Sequence, residues 1–312
     1  MPFKKINLLA KEGTPFLFIS DFKAQNIEVH RLDTLKKNDI EFCICEDFEY
    51  KEHPHFLQKY PPAFTDYKKK FDTIIEEIKS GNTYILNLTQ PTSIETGLSL
   101  KEIYSVANAH YKLRVRDEFV CFSPEKFVQI QNNTIHTFPM KGTIDASIEK
   151  AKEKILSNEK EMAEHVMIVD LLRNDLSIVA KNVKVEEFRY IQKIQAGEKE
   201  LLQVSSHISG ELESNWRESL GDILEALLPA GSISGAPKKS TLDIIEKTEG
   251  YARGFFSGVF GVFDGKNFDS GVMIRFIEKH EEGYVYKSGG GITLDSSAAL
   301  EYAELQDKIY LP

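Results

Sequence analysis

Cysteine is scarce. Cys43, Cys45 and Cys121 are the only three in 312 residues and form no C-x-x-C pair, so the chain offers neither a disulfide framework nor a thiolate zinc site. That usage fits a reducing compartment. Positive charge is also in short supply: 39 lysines and arginines against 48 acidic residues leave a net charge of -9. Such a surface repels a phosphate backbone, and nucleic acid is excluded as an expected partner. Nowhere is there a run of about 18 apolar residues, so no membrane-spanning helix is predicted. The N-terminal stretch MPFKKINLLAKEGTPFLFIS has no small-residue cleavage site, which makes a cytoplasmic location the expectation. Internal repeats and low-complexity tracts are missing too.

What is present is enough apolar material for a large core, 41% of the residues, in one big domain or two modest ones. Residues 1–65 alternate short apolar runs with polar stretches and end near Pro61-Pro62, which predicts an abbreviated strand-rich N-terminal segment. The main domain is expected over residues 66–312. Phe71, Ile74, Ile75 and Ile78 repeat with helical spacing ahead of Gly81. Two runs rich in Phe, Val and Ile flank Gln131-Asn132-Asn133, a hairpin signal, and Lys141 is expected just past the second. A helix from about Lys160 to Leu172 carries Met162, Val166, Val169 and Leu172 on one face and Glu161 with Glu164 on a neighbouring one. Strand-like alternation follows over 183–209, then a helix stopped by Pro229, a strand meander over 255–291, and a last helix from about Ser296. The fold class is therefore α+β, rich in antiparallel strands.

Several clusters are able to carry chemistry. Glu161/Glu164 and Glu301/Glu304 are spaced i, i+3, so each pair aims two carboxylates to one side of a helix, a pattern suited to a hard cation and equally to solvated surface charge. Gly289-Gly290-Gly291 follows a strand and lets backbone N–H groups approach an anion, or is a plain turn. Arg275, in a strand between Ile274 and Phe276, either binds a carboxylate or closes a structural ion pair. The loop Pro229–Lys238 feeds a helix whose N-terminus suits an anion, or is only an entry turn. Lys141 leaves an apolar strand and meets Gly142. Its amine is then either desolvated and nucleophilic or simply extended to water.

Taken in order, PMKGT (139–143), EMAEHVMIVDLLRNDL (161–176), PAGSISGAPK (229–238), the stretch Gly258 to Arg275, GGG (289–291) and EYAELQDK (301–308) resemble the motifs of the chorismate-utilising enzymes. That family includes anthranilate, aminodeoxychorismate, isochorismate and salicylate synthases. The resemblance runs from about residue 66 to the end and implies two antiparallel β-sheets packed as a sandwich-like core with helices outside. It also implies Mg²⁺, with Glu164 and Glu304 as direct ligands and Glu161 and Glu301 holding its waters, gripping the ring carboxylate of chorismate. By the same resemblance Arg275 binds the enolpyruvyl carboxylate, and Gly142, Thr143, Gly289, Gly290 and Gly291 donate around the substrate. Ser232, in the PAGSISGAPK loop, and Lys308, near the ring carboxylate, complete the implied set.

Within the family, Lys141 is the discriminator: anthranilate synthases resemble one another in placing Ala there, and aminodeoxychorismate synthases in placing Lys. Ile85 stands where isochorismate and salicylate synthases have a water-activating lysine, and an isoleucine is no base. The resemblance thus implies amination: Lys141 attacks C2, the C4 hydroxyl leaves, ammonia adds at C4 and the lysine departs, giving 4-amino-4-deoxychorismate on the way to 4-aminobenzoate and folate. Ammonia is expected from a separate glutamine amidotransferase subunit, for which 312 residues leave no room here. Anthranilate synthase component I, and a non-catalytic chorismate-binding protein, are the alternatives. Two positions depart from the family pattern. Gln203 replaces a histidine near the leaving C4 oxygen and Phe256 replaces a tyrosine beside the enolpyruvyl carboxylate. Glu161 and Gln203 join Lys141 as candidate catalytic residues. The short N-terminus further implies no tryptophan inhibition.

Overall fold

The computed structural model describes residues 1–45, 56–196 and 199–311. Residues 46–55, inside the expected N-terminal segment, and 197–198, inside the stretch read as strand-like, lie outside the described residues. The chain folds into two compact units assembled from discontinuous stretches. The first comprises Met1–Thr34, Glu125–Ser232 and Gly258–Val272, and the second Leu35–Pro124, Ile233–Ser257 and Met273–Pro312. Each holds one antiparallel sheet with helices, so the expected pair of antiparallel sheets is present.

In the first unit the strand order is Met140–Asp145, Lys199–Glu211, Thr134–Thr137, Lys126–Gln131, Phe268–Val272, Val259–Phe263, Phe16–Ser20, Ile27–Arg31, with Lys181–Ala196 also paired to Lys199–Glu211. The expected hairpin turn falls at Asn132 and Asn133, both left-handed (φ 48° and 61°), a conformation asparagine tolerates better than most residues. The chain opens with a helix, Pro2–Lys11, within the segment expected to be strand-rich. That helix is fixed by a distant partner. Gly221 N donates to Asn7 Oδ1 at 2.6 Å, and a Cβ on Gly221 would lie 2.1 Å from Phe3 O, so only glycine allows this approach.

The helix Glu159–Val179 is the expected one, but it is turned about its axis. Met162 and Val166, read as core, are 36% and 46% exposed, while Glu164 and His165 are buried with Ile168, Val169, Leu172 and Leu176. Polar residues on the inward face defeated the hydrophobic-periodicity argument. His165 Nε2 lies 2.7 Å from Ser206 Oγ, which accepts the Arg189 N–H at 2.9 Å. Burial above all, with the Arg189 charge adding, pushes this imidazole down from 6.5 to about 4.

In the second unit the order is Gly235–Ala236, Ile85–Glu95, Gly283–Ile292, Phe276–His280, Phe119–Ser123, Tyr111–Val115, Ile40–Ile44, with Gln58–Tyr60 beside Ile85–Glu95. The first 65 residues therefore contribute strands to both sheets. Cys43 lies in the strand Ile40–Ile44 with Cys45 next beyond it, and Cys121 is buried. The glycines expected after a strand are inside one: Gly289, Gly290 and Gly291 pair with Thr89, Leu88 and Asn87. A Cβ on Gly289 would stand 2.3 Å from Leu88 O, so this part of the ladder admits no side chain. Among the described residues no helix is long and apolar enough to cross a membrane.

Behind that ladder lies a buried charge network. Arg253, 3% exposed, donates to Glu249 through Nε (2.8 Å) and Nη2 (2.7 Å), to Ile233 O (3.0 Å) and to Asn87 O (2.7 Å). Glu249, 1% exposed, also accepts from Thr89 N (2.8 Å) and Thr89 Oγ1 (2.7 Å). Removing one partner strands the other charge without water, which costs about 3–5 kcal/mol. We expect Arg253→Ala or Glu249→Ala to lower the urea unfolding free energy by that amount, and the double variant to lose less than the sum. Additive losses would show that the two side chains act independently.

His165 gives a second expectation. The unfolded chain holds the imidazole proton below about 6.5, the folded chain only below about 4. Stability contributed by neutral His165 is therefore complete above the unfolded value and falls as pH drops through this window. In His165→Asn the urea midpoint should change less between about pH 7.5 and about pH 5 than in the parent. An unchanged slope would place the acid sensitivity elsewhere.

Candidate active site

The residues singled out from sequence fall into two groups, one in each unit. In the first unit Lys141 lies just past the strand Thr134–Thr137, as expected, and with Gly142 falls in a further strand, Met140–Asp145, at a register shift between Met140 and Thr143. Such a shift re-aims side chains out of the regular pleat. Gly142 makes it possible with φ +88°, and a Cβ there would be 3.1 Å from Glu161 Oε2. Lys141 Nζ stands 3.3 Å from Glu164 Oε2, and Lys160 Nζ reaches Glu164 Oε1 at 3.8 Å. The Glu164 side chain is only 9% exposed and that of Lys141 24%, so this ion pair sits in a medium that strengthens it relative to a surface pair.

Glu161 sits in the first turn of its helix, where Asn158 Oδ1 accepts its N–H at 3.1 Å and the helix dipole favours a carboxylate. Thr143, exposed, is paired in register with Gln203, which is partly buried on the neighbouring strand. Ser232 Oγ donates to Glu125 Oε1 at 2.5 Å.

The second unit gathers the rest. Glu301 and Glu304 are on the helix Ala298–Asp307, and Lys308 follows it directly. Lys308 Nζ is 2.6 Å from Glu304 Oε1 and donates to Gly289 O at 2.8 Å. A Cβ on Gly290 would lie 3.4 Å from Glu301 Oε2, 3.6 Å from Lys308 Nζ and 3.7 Å from Glu304 Oε1. The glycine strand, both carboxylates and the lysine therefore share one small region. Glu301, 7% exposed, accepts from Ser296 Oγ at 2.8 Å. Burial, reinforced by the charges of Glu301 and Glu304, raises the Tyr67 phenol well above its ordinary value and keeps it protonated.

Arg275 is not within a strand as expected. It precedes the strand Phe276–His280 with a left-handed backbone, φ 53°, and its Nε donates to Tyr310 Oη at 3.4 Å. Phe256 is buried, 2% exposed, with its ring 6.0 Å from that of Phe276.

The two groups repeat a pattern: one glutamate of each pair carries a lysine amine, and the other lies against a glycine. Among the described residues no three His, Cys, Asp or Glu side chains are gathered closely enough to cage a metal ion. Sequence reasoning missed Lys160, Ser296 and Tyr310, whereas His165, read as a structural or surface residue, is buried against Ser206. Lys160 was open to discovery, since it stands four residues before Glu164 on one helix. Ser296 and Tyr310 act through loop geometry that no periodicity records.

Comparisons with known proteins identify the family. The profile of the chorismate binding enzyme family matches residues 19–311. An uncharacterized PabA-like protein from Haemophilus influenzae is 47% identical over 99% of this chain and 95% of its own. The aminodeoxychorismate synthase component 1 of Bacillus subtilis is 32% identical over 82% of this chain, which spans 57% of that protein's length. Among solved structures, anthranilate synthase component I from Streptococcus pneumoniae superposes with a TM-score of 0.68 at 25% identity, covering 85% of this chain and 60% of that one. With its matched length, its paired sheets and its ordered motifs, the chain belongs to the family of chorismate binding enzymes.

Proposed function

We propose that this protein aminates chorismate at C4 to give 4-amino-4-deoxychorismate, using Lys141 as a transient nucleophile. The observation that carries the proposal is the placement of the Lys141 amine, largely withdrawn from water, on a register shift beside Gly142. A lysine amine in its neutral form is a competent nucleophile towards a ring carbon.

The sequence of bonds is as follows. The neutral amine forms a bond to ring C2, the ring double bond shifts, and the C4–O bond breaks. One proton is shed by the amine and one is taken up by the departing hydroxyl, which leaves as water. Ammonia then bonds to C4, the double bond returns, and the C2–N bond to Lys141 breaks. The net change is chorismate plus ammonia to aminodeoxychorismate plus water. Gln203, paired in register with Thr143, donates a hydrogen bond but no proton, so it orients the departing oxygen and does not act as the acid. Arg275 matches one substrate carboxylate through its forked donors. The relatives' name component 1 supports a second component, and a glutamine amidotransferase is the source of ammonia we assign.

Mg²⁺ fits the donors present. Glu161 with Glu164, and Glu301 with Glu304, are hard oxygen ligands in i, i+3 pairs, and Mg²⁺ keeps most of its waters, needing one or two protein carboxylates. In the first unit Glu164 would be the direct ligand with Glu161 on the ion's waters, and in the second Glu304 the direct ligand with Glu301 on its waters, the roles that the family resemblance implies. Bound there, the ion supplies a counter-charge to the ring carboxylate. Lys308 adds a second positive charge near the same region.

The direct test incubates the protein with chorismate, Mg²⁺ and ammonium salt and identifies the product by mass. Aminodeoxychorismate is expected. Anthranilate with pyruvate as the only products would assign the chain to the anthranilate synthase branch, and tight binding without turnover would make it a non-catalytic chorismate-binding protein. Intact-mass measurement after chorismate without ammonia should reveal a covalent adduct that is lost in Lys141→Ala. No adduct on rapid quenching would remove the lysine from the mechanism.

A further inference from the structure

Arg275 is held in an unusual way. Its φ of 53° lies in the left-handed region, disfavoured for a residue with a Cβ by roughly 1–2 kcal/mol. Two contacts from the same unit oppose that cost. Phe122 N donates to Arg275 O at 3.2 Å and fixes the backbone. Tyr310 Oη accepts from Arg275 Nε at 3.4 Å, and the guanidinium carbon stands 5.5 Å from the centre of the Tyr310 ring. The tyrosine therefore grips the stem side of the guanidinium, by a hydrogen bond and by its ring face.

The tyrosine is itself placed by its neighbours. Ile309 (0% exposed) and Leu311 (7% exposed) are buried on either side of Tyr310 (39% exposed), so the chain after the last helix alternates in, out, in. Two apolar anchors turn one phenol outward at one arginine. Tyr286, fully buried, is close enough to feel the charge of Arg275, and its hydroxyl faces the Tyr310 backbone.

We propose that Tyr310 is a positioning residue that sets the Arg275 guanidinium for a carboxylate of the substrate. The inference rests on the chorismate reading above. Tyr310 touches Arg275 and not the reacting atoms, so its effect belongs to binding. Tyr310→Phe keeps the ring and removes only the hydroxyl. Losing one such hydrogen bond should weaken chorismate binding and raise KM roughly three- to tenfold, with kcat changing by less than KM. The tyrosine works through the arginine, so the same change made on an Arg275→Lys background should cost little more.

Chorismate affinity by calorimetry, together with steady-state kinetics, tests this in the parent, both single variants and the double variant. A loss in Tyr310→Phe that disappears in the Arg275→Lys background supports the proposal. No loss, or an equal loss in both backgrounds, overturns it. Chorismate failing to bind the parent protein would defeat the functional reading instead. A second readout stays independent of substrate: the Arg275 Nε–H signal, assigned in nitrogen-resolved NMR by its absence in Arg275→Lys, should shift in Tyr310→Phe, and an unmoved signal overturns the tether.

Discussion

A carboxylate withdrawn from water must be balanced by a cation that the same fold supplies, and the pairing of Lys141 with Glu164 shows how much of the first unit follows from that requirement. Glu164 is on the buried face of its helix with Lys141 3.3 Å away. The helix is turned to put it there, leaving Met162 and Val166 to solvent. The strand Met140–Asp145 breaks register at Lys141-Gly142, and Gly142 adopts a backbone that a residue with a Cβ resists. Each local departure from an ideal helix or strand serves one charge pair, which is the pattern expected where stability yields to function.

The second unit solves a related problem with different means. Gly289, Gly290 and Gly291 are inside a strand, and Gly290 faces Glu301 and Glu304 on the helix that follows and Lys308 just beyond it. A strand of bare glycines packs poorly by itself. Its partner strand compensates: Thr89, paired with Gly289, is bound by N–H and hydroxyl to Glu249, and Glu249 is bound in turn by Arg253. The buried ion pair thus braces the section of sheet that has no side chains of its own to pack.

Much of this was legible in the sequence, because it was written in short range. The glutamate pairs, the PMKGT segment, the Asn-Asn hairpin and the paired antiparallel sheets all follow from spacings within a few residues or from ordered motifs. What escaped depended on partners far along the chain. The N-terminal helix is specified by Asn7 meeting Gly221. The glycines belong to a strand only because Asn87–Thr89 lie opposite. Arg275 leaves the strand pattern through a backbone angle that no residue type at that position announces. The helix bearing Glu164 was found, yet its orientation was misjudged because periodicity assumes that apolar residues face inward.

That last error is instructive about where chemistry is found. Met162 and Val166 made a convincing apolar stripe, and the residues buried in their stead, Glu164 and His165, are among the least expected on an inward face. Burial of Glu164 costs free energy unless a cation accompanies it, and burial of His165 as a neutral group needs Ser206. A helix that accepts both costs when an apolar alternative was available one step round its axis is a helix shaped by what its carboxylate does. Glu161, on the same helix, sits in the first turn, where the dipole favours a carboxylate, and comes close to Gly142.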